Sequence, residues 1–313
     1  MSNLPLVVAV VGPTCSGKTG LAIELAQHLK GEIVACDSRT IYKYMDIGTA
    51  KPTADECAAA RHHMIDLVEP DQVYTVSQYQ KQGEALLAEL VEKKITPIVC
   101  GGTGFYVRAL LEGLQMPEVA PQLALRAELN SLADSRGTEH LRGILSELDA
   151  VSAKKIGPND RFRLIRAIEV SQVLGLPFSQ AQSRKVVPYN IVWLGLTANR
   201  RELLKERIVE RFDQQLADGL VAEVENLYKK YGETQALLNT VAYKEYIQYL
   251  RGELTVEQAR EESIKHSVAL ARRQLIWFRA NREMHWLAID QYLKNELLDQ
   301  CKNIISSKLA QQK

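Results

Sequence analysis

The stretch VVAVVGPTCSGKTGLAIELA, residues 7 to 26, decides the fold. Val7, Val8, Ala9, Val10 and Val11 make an unbroken apolar run that stops at Gly12, which predicts a short strand buried on both faces. GPTCSGKT follows, with Gly12, Gly17, Lys18 and Thr19 in the G-x-x-x-x-G-K-[ST] register, and Leu21, Ala22, Leu25 and Ala26 then recur at helical spacing. The glycines let the backbone through Thr14, Cys15 and Ser16 wrap with its N–H groups inward, and the helix opening at Lys18 aims its positive end at the same point. Lys18 can reach two phosphate groups, and the Thr19 hydroxyl is placed to ligate a Mg²⁺ that they share. The chain is therefore expected to bind a di- or triphosphate. Nothing in the loop says whether that ligand is ATP.

The 313 residues leave room for a full α/β domain and a smaller second unit, and 46% apolar content is ample for a core. Lys and Arg number 39 against 38 Asp and Glu, a formal net of +1, so charge neither signals nor excludes a nucleic-acid ligand. Cys15, Cys36, Cys57, Cys100 and Cys301 are widely spaced, as in a reducing compartment, and form no zinc pattern. The N-terminal MSNLPLVVAVVGP lacks a basic leader segment, and no window approaches a membrane span. A cytoplasmic, soluble protein with no membrane partner is expected, and a monomer.

A second strand is predicted over Glu32–Cys36, closed by Asp37 and Ser38. Ligands of open α/β sheets sit beyond the carboxyl ends of strands, so Asp37 is a candidate base or Mg²⁺ ligand; an Asp that only caps the next turn is the alternative. Residues 39–52 read as a loop of turns. His62 and His63 are adjacent and lack a third ligand, which favours a hydrogen-bonded role over a metal. A helix is predicted over Ser77–Lys93 and a strand over Pro97–Cys100, ending in Gly101, Gly102, Thr103 and Gly104. That second glycine-rich junction could admit a substrate and offer the Thr103 hydroxyl, or simply pack the helix that follows.

From Glu112 the texture becomes helical, with predicted helices over Gln122–Ser135, Glu139–Leu148 and Arg161–Leu174, and strand texture resumes only at Tyr189. Residues 115–188 thus read as an all-helical insertion between the two parts of an α/β core, 1–114 and 189–313. Arg161, Arg163 and Arg166 make a candidate phosphate-backbone surface or a solvated face. A helix over Asn199–Leu216 carries Arg200, Arg207 and Arg211 along one side, suited to a phosphate tail or, equally, to salt bridges with Glu202, Glu206 and Glu210. A long helix over Val256–Asn281 holds Arg272, Arg273, Gln274, Trp277 and Phe278.

GPTCSGKT, Asp37 with Ser38, MDIGTAKP (45–52), HHMIDLVEP (62–70), GGTGFYVRALLEGL (101–114), GPNDRFRLIRAIEV (157–170) and ARRQLIWFR (271–279) together resemble the tRNA dimethylallyltransferases, in order and over nearly the whole chain. The resemblance implies a P-loop NTPase-like core, a parallel sheet flanked by helices, with a helical insertion that clasps the anticodon stem-loop. It implies Mg²⁺-assisted transfer of the dimethylallyl group from dimethylallyl diphosphate to N6 of the adenosine 3′ of the anticodon, in tRNAs reading codons that begin with U. Asp37 matches the general base and Thr103 the threonine that bonds the same amine. Gly12, Thr14–Thr19 and Arg207 or Arg211 match the diphosphate site. Ser38, Arg39, Thr40, Ile41, Tyr42, Arg166 and Gln274 match the RNA-contacting set, to which the basic Arg161, Arg163 and Arg272 are added.

Five positions depart from the usual pattern: Thr40 stands for Gln, Gly157 for His, Ala242 for Gly, Val268 for Arg and Ile276 for Thr. None removes Lys18, Thr19, Asp37 or Thr103, so the chemistry is expected to survive with altered tRNA selectivity. The competing readings are an ATP-dependent small-molecule kinase, which shares the loop and the arginines, and a non-catalytic RNA-binding protein.

Overall fold

The computed structural model describes residues 4–115, 117–181 and 183–310. The chain forms two compact units, residues 1–107 with 188–313, and residues 108–187. In chain order the first stretch runs β1 (Leu6–Val11), α1 (Lys18–Leu29), β2 (Gly31–Ala35), α2 (Ala54–Ala59), β3 (His62–His63), α3 (Val76–Glu92), β4 (Thr96–Gly101) and α4 (Gly104–Leu111). The middle stretch holds β5 (Leu114–Gln115), α5 (Leu123–Arg136), α6 (Thr138–Leu148), α7 (Ala150–Lys155), α8 (Arg161–Leu174), α9 (Phe178–Ala181) and β6 (Ser183–Arg184). The last runs β7 (Asn190–Thr197), α10 (Arg201–Ala217), α11 (Leu220–Tyr231), α12 (Gln235–Leu238), α13 (Tyr243–Leu250), α14 (Val256–Phe278), β8 (His285–Ala288) and α15 (Lys294–Ala310).

The first unit is a parallel sheet of order β3-β2-β4-β1-β7-β8, flanked by helices. Val7 to Val11 are wholly enclosed, which explains why β1 carries no polar alternation: helices cover both faces of its sheet. Val8, Val10, Leu21, Leu25, Ile33, Ile98, Val192 and Leu194 share one core. A second core gathers Met45, Phe212, Leu220, Val224, Tyr243, Tyr246 and Ala259 beneath the 39–52 loop. Register sets the level of the strand ends. Val11 pairs with Gly101 and Ala35 with Cys100, so β1, β4 and β2 finish side by side and their next residues share one edge. No helix among the described residues is long and apolar enough to cross a membrane.

Several elements escape the sequence periodicity. α2 is fixed by a capping box, with the Thr53 side chain on the Glu56 N–H and Glu56 returning to Thr53 N–H. β3 has two residues, bound to β2 through Ile33 and Val34, and His63 Nε2 meets Glu32 at 2.5 Å. α7 starts at Asp149, whose carboxylate accepts the N–H groups of Val151 and Ser152. Arg200 is the residue before α10, so it leaves the side of the helix where Arg207 and Arg211 lie and pairs with Glu206 at 2.7 Å instead. Ala242, at one of the five departures, has φ +76°, in the left-handed region that favours glycine.

The second unit is a helical cluster with a short antiparallel β5–β6 pair. Leu129, Leu141, Leu145, Ile156, Leu164 and Ile168 form its core. Glu169 is fully enclosed there yet charged, because Arg126 and Arg166 both donate to it at 2.5–2.8 Å and Gln122 adds a backbone N–H at 2.7 Å. Burial pushes the carboxyl up, but these hydrogen bonds outweigh it and hold the pKa down at about 2. A folded-state value below the ordinary 4.5 stabilises the fold above that pH, and the contribution is lost as pH falls from 4.5 toward about 2. Helicity lost to urea, followed by circular dichroism across that window, should therefore steepen in the wild type. Glu169→Gln should flatten the dependence while lowering stability at neutral pH by about 3 kcal/mol, the cost of stripping one member from a buried ionic cluster.

Candidate active site

Three loops converge at the level strand ends, and their contacts grow out of the local sequence. After β1, Cys15 at φ +61° and Gly17 at φ +83° turn successive amides toward one point, the concave arrangement that binds anions. Gly17 is required there, as the N-cap residue of α1 in the left-handed region. The Ser16 hydroxyl donates to the Pro13 carbonyl at 2.9 Å, and the Lys18 ammonium to the same carbonyl at 2.6 Å. Burial holds the Lys18 ammonium below its ordinary pKa, with Arg211 acting in the same direction and Asp37 against it. A desolvated cation facing an arginine gains most from an anion between them. Arg211 is thus the arginine whose charge is felt at Lys18; Arg207 lies one turn earlier on α10.

The Asp37 Oδ1 accepts the Arg39 N–H at 2.8 Å, so this carboxylate caps its own turn and also stands in the field of Lys18. Beside it, the Thr103 hydroxyl accepts the Ser38 N–H at 3.0 Å and donates to Ser38 Oγ at 3.4 Å, while Thr103 N–H meets the Cys36 carbonyl at 3.2 Å. Asp37, Ser38, Thr103 and the Lys18–Thr19 corner therefore form one constellation. Thr19 and Asp37 supply hard oxygen donors, the chemistry that suits a Mg²⁺ taking its remaining ligands from phosphate and water.

The glycines of GGTG serve the protein rather than a substrate. A Cβ on Gly102 would stand 2.3 Å from Gln274 Nε2, and one on Gly104 would stand 2.0 Å from the Trp277 ring. Gln274 and Trp277, one turn apart on α14, are seated on those two bare positions, and Phe105 meets Trp277 edge-on at 6.3 Å. The Gln274 amide accepts the Thr14 N–H at 2.8 Å and donates to the Gly102 carbonyl at 3.1 Å. It bridges the phosphate loop and the GGTG loop from a helix 260 residues beyond Thr14 and 172 beyond Gly102. The resemblance assigns Gln274 to RNA; its amide is engaged here in holding two loops together.

The 38–42 segment divides. Ser38 and Arg39 remain partly exposed, whereas Thr40 is 7% exposed, its hydroxyl enclosed without a hydrogen-bond partner, and Ile41 and Tyr42 sink into the second core. Turn geometry is the reason. Ile41 O accepts the Leu67 N–H at 2.7 Å and Lys43 N–H reaches Val68 O at 2.9 Å, which rolls residues 40–42 inward. Thr40, Ile41 and Tyr42, which the resemblance assigns to RNA, are therefore enclosed in this conformation.

In the helical unit, Arg126, Asn130, Arg161, Phe162, Ile165 and Arg166 line a cavity of about 330 Å³. Arg161 is held by Asn130 and Asp134 and Arg166 by Glu169 and the Val119 carbonyl, while Arg163 is 62% exposed at its side chain with Asp160 at 3.3 Å. Arg272 is exposed on α14. Ser38, placed by the resemblance with the RNA contacts, is the hydrogen-bond partner of Thr103, and sequence reasoning passed over Glu223, which accepts the N–H groups of Asp46, Ile47 and Gly48 at 2.8–3.1 Å. No motif marks Glu223, whose partners lie about 176 residues away.

Residues 40–281 match the family described as IPP transferase. A tRNA dimethylallyltransferase of Nostoc sp. is 42% identical over 285 residues, covering 91% of this chain and 94% of that protein. The full-length tRNA isopentenylpyrophosphate transferase from Bacillus halodurans is 35% identical, with a TM-score of 0.74 over 98% of this chain and 97% of that one. A eukaryotic dimethylallyltransferase acting on tRNA, 22% identical, shares the fold with a TM-score of 0.81 over 98% of this chain and 80% of its own.

The bridge predicts a measurable dependence on one amide. Gln274→Ala leaves the Thr14 N–H and Gly102 carbonyl without their partner and should cost about 1–2 kcal/mol in thermal unfolding. Gln274→Glu should also weaken the titration of inorganic diphosphate, because a carboxylate then faces an anion site.

Proposed function

The chain belongs to the tRNA dimethylallyltransferase (IPP transferase) family of enzymes, and on that premise we propose that it transfers the dimethylallyl group of dimethylallyl diphosphate to tRNA. The acceptor is N6 of the adenosine immediately 3′ of the anticodon in tRNAs reading codons that begin with U, and diphosphate is released. The single observation that carries this reading is the juxtaposition of the phosphate-loop site at Lys18 with the Asp37–Ser38–Thr103 corner. A kinase shares the first feature and can also use a carboxylate base, so the family match over residues 40–281 is what favours prenyl transfer over it.

The roles follow from the chemistry. Departure of diphosphate from an allylic carbon is helped by stabilising the charge that develops on it, which the loop amides, Lys18 and Arg211 do. Thr19, with Asp37 through water, would hold a Mg²⁺, which when bound would stabilise the charge developing on the leaving group. The amine of adenine is a poor nucleophile, so alignment contributes much of the rate. Thr103 orients the amine, and Asp37, its rotamer set by the Arg39 N–H, accepts the proton as the N6–C1 bond forms. The target base must leave its stack to reach this floor. Arg39, the Arg272 and Gln274 region of α14, and the basic residues of a helical lobe spanning 115–188 supply RNA contacts, with the lobe clasping the anticodon arm. A cytoplasmic monomer fits this role.

Radiolabelled dimethylallyl diphosphate should label unmodified tRNA with no ATP present. Strict dependence on ATP, with phosphate appearing on a small acceptor, would replace this reading with the kinase. Asp37→Ala should lower kcat by about a hundredfold or more, within the range for a lost general base, and leave tRNA affinity within about twofold. Loss of tRNA binding with kcat intact would make Asp37 a recognition residue.

A further inference from the structure

Tyr44 carries an aromatic ring 50% exposed at a backbone position of φ +64°. A bulky side chain is disfavoured in the left-handed region, and a ring half in solvent gains little packing to offset that. The loop around it is nevertheless held firmly. Glu223 accepts three consecutive N–H groups from Asp46 to Gly48 and the Tyr243 hydroxyl, and Lys51 donates to the Tyr42 carbonyl at 2.8 Å. Lys230 Nζ lies over one face of the Tyr44 ring, 4.7 Å from its centre, and 4.7 Å from the centre of the Tyr231 ring. Lys43 pairs with Glu69 at 3.1 Å, and Tyr231 donates to the same carboxylate. The surface is thus a firmly held, half-exposed aromatic ring with Lys230 over one face, beside a second ammonium group and one carboxylate.

Nucleobases of any identity stack on aromatic rings, and neighbouring cations favour the phosphates that accompany them. Tyr44 is seven residues from Asp37, at most about 24 Å along extended chain, so one RNA loop can reach both. We propose that Tyr44, with Lys43 and Lys230 beside it, is a stacking platform for an unpaired base of the RNA substrate, separate from the catalytic centre. This rests on RNA being the substrate. A preformed platform lowers the ordering cost of the loop on binding.

The test uses the full chain and an anticodon stem-loop RNA carrying 2-aminopurine at each unpaired position in turn. One position should be quenched on binding wild-type protein and Tyr44→Phe, and not on binding Tyr44→Gly. Glycine suits φ +64°, so Tyr44→Gly keeps the loop and would be neutral or favourable if Tyr44 were purely structural. We expect it to raise KM for RNA at least about fivefold, with kcat and KM for dimethylallyl diphosphate within about twofold. Unchanged RNA affinity and quenching in Tyr44→Gly overturns the platform. If the wild type binds the stem-loop but transfers nothing to it, the activity reading fails while quenching still decides the platform. If the wild type binds no RNA, both fail.

Discussion

One side-chain amide joins the two loops on which the proposed chemistry depends. Gln274 takes an N–H from the phosphate loop and gives one to the GGTG loop, and the bare Cα positions of Gly102 and Gly104 let α14 approach closely enough to do so. The sheet makes this economical. Because β1, β4 and β2 end level, the phosphate loop and the residues around Asp37 and Thr103 already lie along one edge, and the amide has only to fix their spacing. A shift of about 1 Å between the loops would be felt strongly in a reaction that relies on alignment.

Electrostatics divides the edge into two halves. On the phosphate side, Lys18 is buried beside Arg211, a pair of like charges that an anion relieves. At the ends of β2 and β4, Thr103 bonds Ser38 next to Asp37, and the hydrogen bond from Arg39 N–H fixes the carboxylate. The helical unit resolves a similar tension internally, where Glu169 neutralises Arg126 and Arg166 and leaves Arg163 as the more exposed charge.

The sheet and the phosphate loop were legible because their signals are local. An apolar run followed by G-x-x-x-x-G-K-T needs no tertiary knowledge, and the helix over Arg161–Leu174 falls where periodicity puts it. Short elements were lost, although Thr53 with Glu56 and Asp149 before α7 carried capping signals that could have found α2 and α7. The purpose of GGTG was open from sequence, since close approach by a substrate and close approach by a helix demand the same glycines. The inward roll of Thr40, Ile41 and Tyr42 was hidden because it is set by pairing with residues 67 and 68. Glu223 carried no signal, being an acceptor for backbone groups whose identity the sequence does not encode.

The central claim is that the phosphate loop and the Asp37–Thr103 corner act on one bond from opposite sides. The most direct measurement is the structure of the protein with an unreactive dimethylallyl diphosphate analogue and an anticodon stem-loop. The account predicts diphosphate oxygens on the loop amides, Lys18 and Arg211, and the adenosine N6 about 3 Å from both Asp37 and the Thr103 hydroxyl. An adenosine amine held by other residues, with Asp37 turned to its own loop and Thr103 still on Ser38, would contradict it.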